Sequence, residues 1–379
     1  MLDPERLAPQ LREGALRARA DLVSLLLELS AIDAPSGGGD ALGRFEERLA
    51  AELRELGAEV RRHPGPVGAQ LEARLGPPAG EPILVLCHYD TVWPVGTAAE
   101  RPAHVADGRV HGPGTYDMRG GIVAALGAAR LLGEQLERPL RMLFTPDEET
   151  GSATSRELIV RLGRGAAAVL VTEPPLPGGA LKTARKGWAT YVVETLGRAA
   201  HAGIEPERGV SAIDELVDAL LAIRALADPA AGTTINIGRI EGGELPNVVA
   251  PRALAIVDVR ASRVEEQQRI DAALTGLTAL REGATIAVAK RHGRPPMERT
   301  PQIAQAAVRA IALASLLGIE LGEGAVGGTS DANLLAPLGI PVIDGLGPDG
   351  RGAHALDEQV IVDSLVERTA LIALLIAAL

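Results

Sequence analysis

Apolar residues recur along this chain with two periods, and the switches between them divide it into elements. Leu42, Phe45, Leu49, Leu53 and Leu56 fall at helical spacing, with Gly57 behind them as a stop. Gln70 to Leu75 alternates like a strand. Ile83 to Cys87 is a continuous apolar run, too short for a helix and rich in strand formers, so it reads as a buried strand. Beyond it the pattern predicts a helix over Gly120 to Leu132, a strand over Leu140 to Phe144, a helix over Ser155 to Leu162 and a strand over Ala167 to Val171. Strands alternating with helices imply an α/β sheet covered by helices on both faces.

A second rhythm begins near Lys186. The pattern predicts a strand over Trp188 to Thr195, a helix over Val210 to Leu226, strands over Thr233 to Ile240 and Ala253 to Arg260, a helix over Val264 to Leu280 and a strand over Ala284 to Lys290. This β-α-β-β-α-β order is the split unit of a ferredoxin-like domain. The first rhythm returns after Pro301, with a helix to Leu317, a strand over Ile340 to Ile343 and a closing helix from Val360. The expected organisation is one α/β domain built from residues 1–184 and 297–379, interrupted by an inserted α+β domain over residues 185–296. No internal repeat and no low-complexity linker is evident.

Composition adds limits rather than detail. A chain of 379 residues is too long for one ordinary core, in keeping with two domains. Aromatics make up 2% of it, so the core must be built from Ala, Val, Leu and Ile. The formal charge of -11 argues against a nucleic-acid or anionic-membrane surface, where a basic patch is expected. Cys87 is the single cysteine, which rules out an intrachain disulfide framework and favours a reducing compartment. Met1 to Gly14 is charged and has no signal-peptide core, and the apolar run Thr369 to Leu379 is too short to span a bilayer. It reads as the buried face of the last helix. A cytoplasmic protein is expected.

Five stretches carry side chains suited to chemistry. His88-Tyr89-Asp90 follows the Ile83 strand directly, and residues i and i+2 of an extended segment point the same way. Asp90 is thus placed to accept the second N–H of His88 and fix its tautomer, the support a zinc-bound histidine normally has. His111 to Gly121 is a glycine-rich loop ending in Asp117 just before a helix; it reads either as a turn with a helix-capping acid or as a loop presenting one carboxylate between two metals. It lacks the Gly-Lys-Ser/Thr ending of a phosphate loop. Asp147, Glu148 and Glu149 follow the Leu140 strand, and three crowded acids repel one another unless a cation compensates. Glu173 repeats the geometry after the Ala167 strand. His88, Glu148, Glu149 and Glu173 thus sit past the carboxyl ends of predicted strands, where open α/β sheets bind ligands. His354 follows a later strand and loop and would close the set. Histidine and carboxylate without cysteine is the donor chemistry of a catalytic rather than a structural zinc site.

The runs HYDTVWPVGT, GPGTYDMRGG, DEETGS, TEP, GRAAHAG, GGTSDAN and GAHALDE, in this order, resemble the zinc aminoacylase/carboxypeptidase family of glutamate carboxypeptidases, acetylornithine deacetylases and succinyl-diaminopimelate desuccinylases. The resemblance is nearest to the glutamate carboxypeptidase branch and covers nearly the whole chain. It implies a zinc-peptidase-like catalytic domain, with a mixed sheet flanked by helices, and a ferredoxin-like lid and dimerisation domain inserted into it. It implies two zinc ions, with cobalt or manganese as alternatives. His88 and Glu173 would hold one ion and Glu149 and His354 the other, and Asp117 would bridge them, followed by a cis peptide bond to Met118. Asp90 would orient His88. Glu148 would be general base and acid. Arg119 stands where lysine is usual and keeps the charge. His201 would donate to the oxyanion across a homodimer interface. Arg294 would grip the substrate carboxylate, with Asn247, Gly328 and Thr329 beside it.

The expected reaction is amide hydrolysis that releases a C-terminal amino acid, glutamate among the candidates, from a peptide or N-acyl conjugate. N-acyl-amino-acid deacylation and non-catalytic metal binding are the alternatives, and the intact Glu148 argues against the second. His63, His104, His111 and His292 match nothing catalytic, and Cys87 reads as core.

Overall fold

The computed structural model describes residues 3–379. The chain forms two compact units. One takes the residues up to Thr183, Arg299–Val326 and Ser330–Leu379; the other takes Ala184–Glu298 with Gly327–Thr329.

The first unit is built on an eight-stranded sheet. Its strands lie in the order Glu59–His63, Gln70–Leu75, Leu140–Thr145, Ile83–His88, Ala168–Val171, Val342–Asp344, Leu181–Arg185 and Glu323–Val326. The sheet is mixed. Ile83–His88 runs parallel to both of its neighbours, and Val342–Asp344 runs parallel to Ala168–Val171. Gln70–Leu75 pairs antiparallel with both of its neighbours, and Leu181–Arg185 pairs antiparallel with Val342–Asp344. Parallel strands must be covered on both faces, which is why the central ones read as unbroken apolar runs; every residue of Ile83–His88 is buried. The helix Gly120–Leu132 packs against Ile83–His88, and Val362–Ala378 packs in turn against that helix; both are buried along most of their length. The second absorbs the apolar C-terminal run. Among the described residues no helix is long and apolar enough to cross a membrane.

A small antiparallel sheet completes this unit, in the order Gly350–Arg351, Gln359–Ile361, Arg109–His111, His104–Ala106. Gln359 pairs with His111, so the segment after His354 runs beside the entrance to the Asp117 loop.

The second unit has four antiparallel strands, ordered Thr234–Gly242, Arg252–Ala261, Gly187–Leu196, Thr285–Arg294. Helices Ala212–Ala225 and Val264–Thr275 complete the β-α-β-β-α-β unit. Its own core includes Tyr191, Val193, Leu216, Ile223, Val257 and Ile270. The first and last strands are neighbours, with Arg294 opposite Trp188.

The structure adds three strands to the large sheet that the periodicity did not single out, Glu59–His63, Leu181–Arg185 and Glu323–Val326, and departs from it in four further places. Helices Pro4–Arg17 and Arg19–Ser30 open the chain, where the charged composition suggested no element. The Val264 helix ends at Thr275 rather than near Leu280, because Gly276 caps it and Leu280 is exposed instead of continuing the buried face. The closing helix starts at Val362, and the Val-Ile run before it is a strand. The strands of the small sheet are too short to show a period.

Candidate active site

Three parallel neighbours, Leu140–Thr145, Ile83–His88 and Ala168–Val171, end at one edge of the large sheet. His88 is the last residue of the middle strand, and Glu148–Thr150 and Glu173 follow the outer two. The strand ends therefore deliver one histidine and three carboxylates to a common place. His88, Glu148 and Glu173 have donor atoms within 4.8 Å of one another, and so do His88, Asp117 and Glu149.

Asp117 and His354 come from loops. Asp117 lies in the turn between Gly114 and the helix Gly120–Leu132, and its peptide bond to Met118 is cis, as the resemblance implied. The Met118 sulfur accepts the His88 backbone N–H at 3.2 Å, locking the turn to the strand end. At Gly121 a Cβ would stand 1.9 Å from the Thr172 carbonyl oxygen, so the helix start and the Glu173 corner approach as closely as glycine allows. His354 sits in a loop that doubles back: a Cβ on Gly352 would lie 2.9 Å from the Glu358 backbone.

The resulting geometry is symmetric about Asp117. Its Oδ1 lies 3.1 Å from His88 Nε2, and its Oδ2 lies 3.4 Å from His354 Nε2. Glu173 Oε1 is 3.6 Å from His88 Nε2, and Glu149 is 3.1 Å from His354 Nε2. Ligands about 2.0–2.1 Å from a tetrahedral zinc stand about 3.3 Å from each other, so this spacing fits two ions that share Asp117. The donors are nitrogen and oxygen only, the set of a catalytic metal.

Asp90 differs in detail from the sequence expectation. The nearest acceptor to His88 Nδ1 is the Asp90 carbonyl oxygen at 3.0 Å, with the carboxylate at 3.4 Å. That contact leaves Nε2 facing the acids. The carboxylate is mainly committed elsewhere: it accepts the backbone N–H groups of Glu148 and Glu149 at 3.1 and 3.2 Å and the Ser36 hydroxyl at 2.5 Å. Asp90 thus holds both the histidine and the acidic turn.

Electrostatics follow from burial and pairing. Burial pulls the His88 proton affinity down, but hydrogen bonds to Asp117 and Asp90 outweigh it and raise the imidazole well above its usual value. Hydrogen bonds to Asp117 and Glu149 raise His354 to about 10. Burial pushes Asp117 up, yet His354 and His88 bring it well below the ordinary carboxylate range. Burial dominates at Glu149 and raises it to about 7. Carboxylates and imidazoles that compensate one another in this way are in place to exchange protons for cations.

Two residues that went unremarked in the sequence complete the surroundings. Glu358 is buried and accepts the N–H groups of Gly114, Tyr116 and Asp117 and the indole N–H of Trp93. Both lie inside the quoted runs GAHALDE and HYDTVWPVGT; the available signal was an acid four residues after the candidate histidine. Arg119 is buried under the Asp117 turn, donating to the Ile32 and Pro113 carbonyls, with its guanidinium over the Phe45 ring.

The remaining predicted residues belong to the second unit and fall into two groups. His201 is exposed, its Nδ1 accepting the Gly203 N–H at 3.1 Å, and its segment pairs with the Asn247 turn through Ala202 N–H to Asn247 carbonyl at 2.9 Å. Arg294 is buried, with its Nη1 3.4 Å from the Thr329 hydroxyl, and Arg185 donates to the Gly328 carbonyl at 3.3 Å. The other histidines have local partners: His63 pairs with Glu72, His104 stacks on His111, and His292 stacks on Trp188. Cys87 is core, its sulfur 3.1 Å from the Thr172 hydroxyl, and burial pushes its thiol up to about 12.

A family model described as Peptidase family M20/M25/M40 matches residues 84–378. The chain belongs to peptidase family M20/M25/M40. It is therefore a metal-dependent hydrolase with the mixed-sheet fold of that family. Carboxypeptidase G2 of Pseudomonas sp. (strain RS-16) is 31% identical over 369 residues, covering 94% of this chain and 88% of the relative. The succinyl-diaminopimelate desuccinylase of Stenotrophomonas maltophilia (strain K279a) is 28% identical over 307 residues, 76% of this chain and 81% of its own. Among solved structures, the Bacillus subtilis YXEP protein, described as a dinuclear metal binding peptidase of this family, superposes with a TM-score of 0.67 at 18% identity, covering 95% of this chain and 97% of its own.

Proposed function

We propose that this family member is a two-metal carboxypeptidase that hydrolyses the amide bond of a C-terminal amino acid, glutamate among the candidates, in a peptide or N-acyl conjugate. The observation that carries the reading is Asp117, whose two oxygens face His88 and His354 at 3.1 and 3.4 Å with Glu173 and Glu149 on either side. His88 and Glu173 would hold one ion, Glu149 and His354 the other, with Asp117 shared between them; zinc suits the donors, and cobalt or manganese would fit the same set. Bound there, the metal pair supplies Lewis acidity towards the scissile carbonyl and lowers the pKa of the attacking water.

The chain's own residues do the rest. Glu148, its backbone N–H held by Asp90, takes a proton from the water and returns it to the leaving amine. Arg294 pairs bidentately with the substrate carboxylate, helped by Asn247, Gly328 and Thr329. His201 donates to the developing oxyanion from the second unit of a partner copy, in a homodimer formed through that unit. The likeness to carboxypeptidase G2 supports release of a C-terminal residue. The likeness to a desuccinylase supports a second reading, removal of an acyl group from an amino acid. A zinc-supplemented panel of N-acyl-glutamates, other N-acyl amino acids, acetyl-ornithine, succinyl-diaminopimelate and free-amine dipeptides separates the two. Turnover of N-acyl-glutamates is expected; cleavage of free-amine dipeptides alone would overturn the reading.

A further inference from the structure

The Asp117 turn has no regular structure of its own to hold it, since it joins the short strand Arg109–His111 to the helix Gly120–Leu132. Beside the Met118 contact to His88 and Arg119 beneath the turn, one carboxylate gathers its backbone N–H groups. Glu358 Oε1 accepts the backbone N–H groups of Tyr116 and Asp117, each at 3.0 Å. Its Oε2 accepts Gly114 N–H at 2.7 Å and Trp93 Nε1–H at 2.9 Å. The Glu358 carbonyl accepts Gly112 N–H at 3.1 Å as well. The side chain is 1% exposed and sits four residues beyond His354. Three segments therefore meet on one acceptor: the loop after the His88 strand, the Gly112–Asp117 turn and the His354 loop.

Only a carboxylate meets this demand. Four donors require two oxygens that each accept twice and donate nothing; a glutamine offers one such oxygen and turns an NH2 towards the other two donors. Loss of the contact frees the Asp117 backbone while leaving all five candidate ligands in the sequence.

We infer that Glu358 is a positioning residue for the metal pair, setting the direction of the bridging Asp117 and coupling it to the His354 loop and to Trp93. The inference rests on the proposed reading of the five residues as a two-metal site. It differs from a purely structural role, which would lower stability without altering the metals' surroundings.

Cobalt(II) titration of the full chain, followed by visible absorption, tests it. The wild-type chain is expected to take up two cobalt ions with a defined d–d spectrum. Glu358→Gln is expected to keep its circular dichroism, bind cobalt about 10- to 100-fold more weakly and show a shifted spectrum, the usual cost of losing a contact that orients a ligand. Trp93→Phe removes the one side-chain donor to Glu358 and should shift the spectrum in the same direction with a smaller loss of affinity. Wild-type affinity and spectrum in folded Glu358→Gln would overturn the inference. Should Glu358→Gln not fold, a Trp93→Phe chain indistinguishable from wild type in cobalt affinity and spectrum would overturn it equally. A wild-type chain that does not take up two cobalt ions would overturn the underlying metal-site reading, and this inference with it.

Discussion

In the proposed mechanism Glu148 is the residue on which hydrolysis and mere metal retention part. It adjoins Glu149 but is not among the five candidate ligands. Glu148→Ala is expected to lower kcat by about 10²–10⁴-fold, the usual worth of a general base, with metal content by elemental analysis unchanged. Unaltered turnover would remove it from the mechanism. The ligands themselves make a statement about pH. In metal-free protein Glu149 is raised from 4.5 to about 7 and His354 from 6.5 to about 10. Each holds an extra proton only when folded, so each contributes stability at low pH that is lost as pH rises through those windows. Asp117 is shifted the other way and acts only in acid, below 3.8. The Tm of chelator-treated protein should therefore fall between pH 5 and 10. Metal affinity should rise over the same range, because binding displaces those protons. Calorimetry with and without zinc checks both; a flat apo Tm would contradict the pairing described here.

At the scale of elements, the close approach of the helix Gly120–Leu132 to the Glu173 corner is the tightest constraint near the site. Gly121→Ala places a methyl against the Thr172 carbonyl, and neither backbone can yield without moving Asp117 or Glu173. A loss of about 1–3 kcal/mol in denaturant unfolding is expected, together with reduced zinc occupancy; a neutral substitution would show that the corner is free to shift. This constraint was not readable from sequence, where Gly121 is one glycine of a loop. The strands that carry the acids were readable, because burial on both faces makes them continuous apolar runs. Their shared edge was expected from the position of His88, Glu148, Glu149 and Glu173 after such runs. Legibility failed where order depends on single contacts. Leu280 extended a helical spacing that Gly276 had already ended, and the four-donor role of Glu358 depends on a turn whose conformation no period announces. The division of Asp90 between a carbonyl contact and a carboxylate contact was equally invisible, since both lie two residues from His88.

For the whole molecule, the relevant fact is that all five candidate ligands and Glu148 lie in one unit, while His201, Asn247, Arg294, Gly328 and Thr329 lie in the other. The second unit leaves and rejoins the chain on adjacent strands, with Gly293 opposite Ala189. Replacing residues 187–294 by a short Gly/Ser linker should therefore leave a folded unit that binds zinc with near-wild-type stoichiometry but has lost turnover by at least about 10²-fold, the worth of one oxyanion donor alone. Retained hydrolysis would show that the first unit is sufficient. Cys87 gives the intact protein a further use. The single thiol lies one residue before His88 and contacts the hydroxyl one residue before Glu173, so it is sealed in the seam between two ligand-bearing strands. A thiol reagent can reach it only when that seam opens. The labelling rate at a fixed reagent concentration is then a clock for breathing of the sheet at the site, read without any introduced probe, and saturating zinc should slow it.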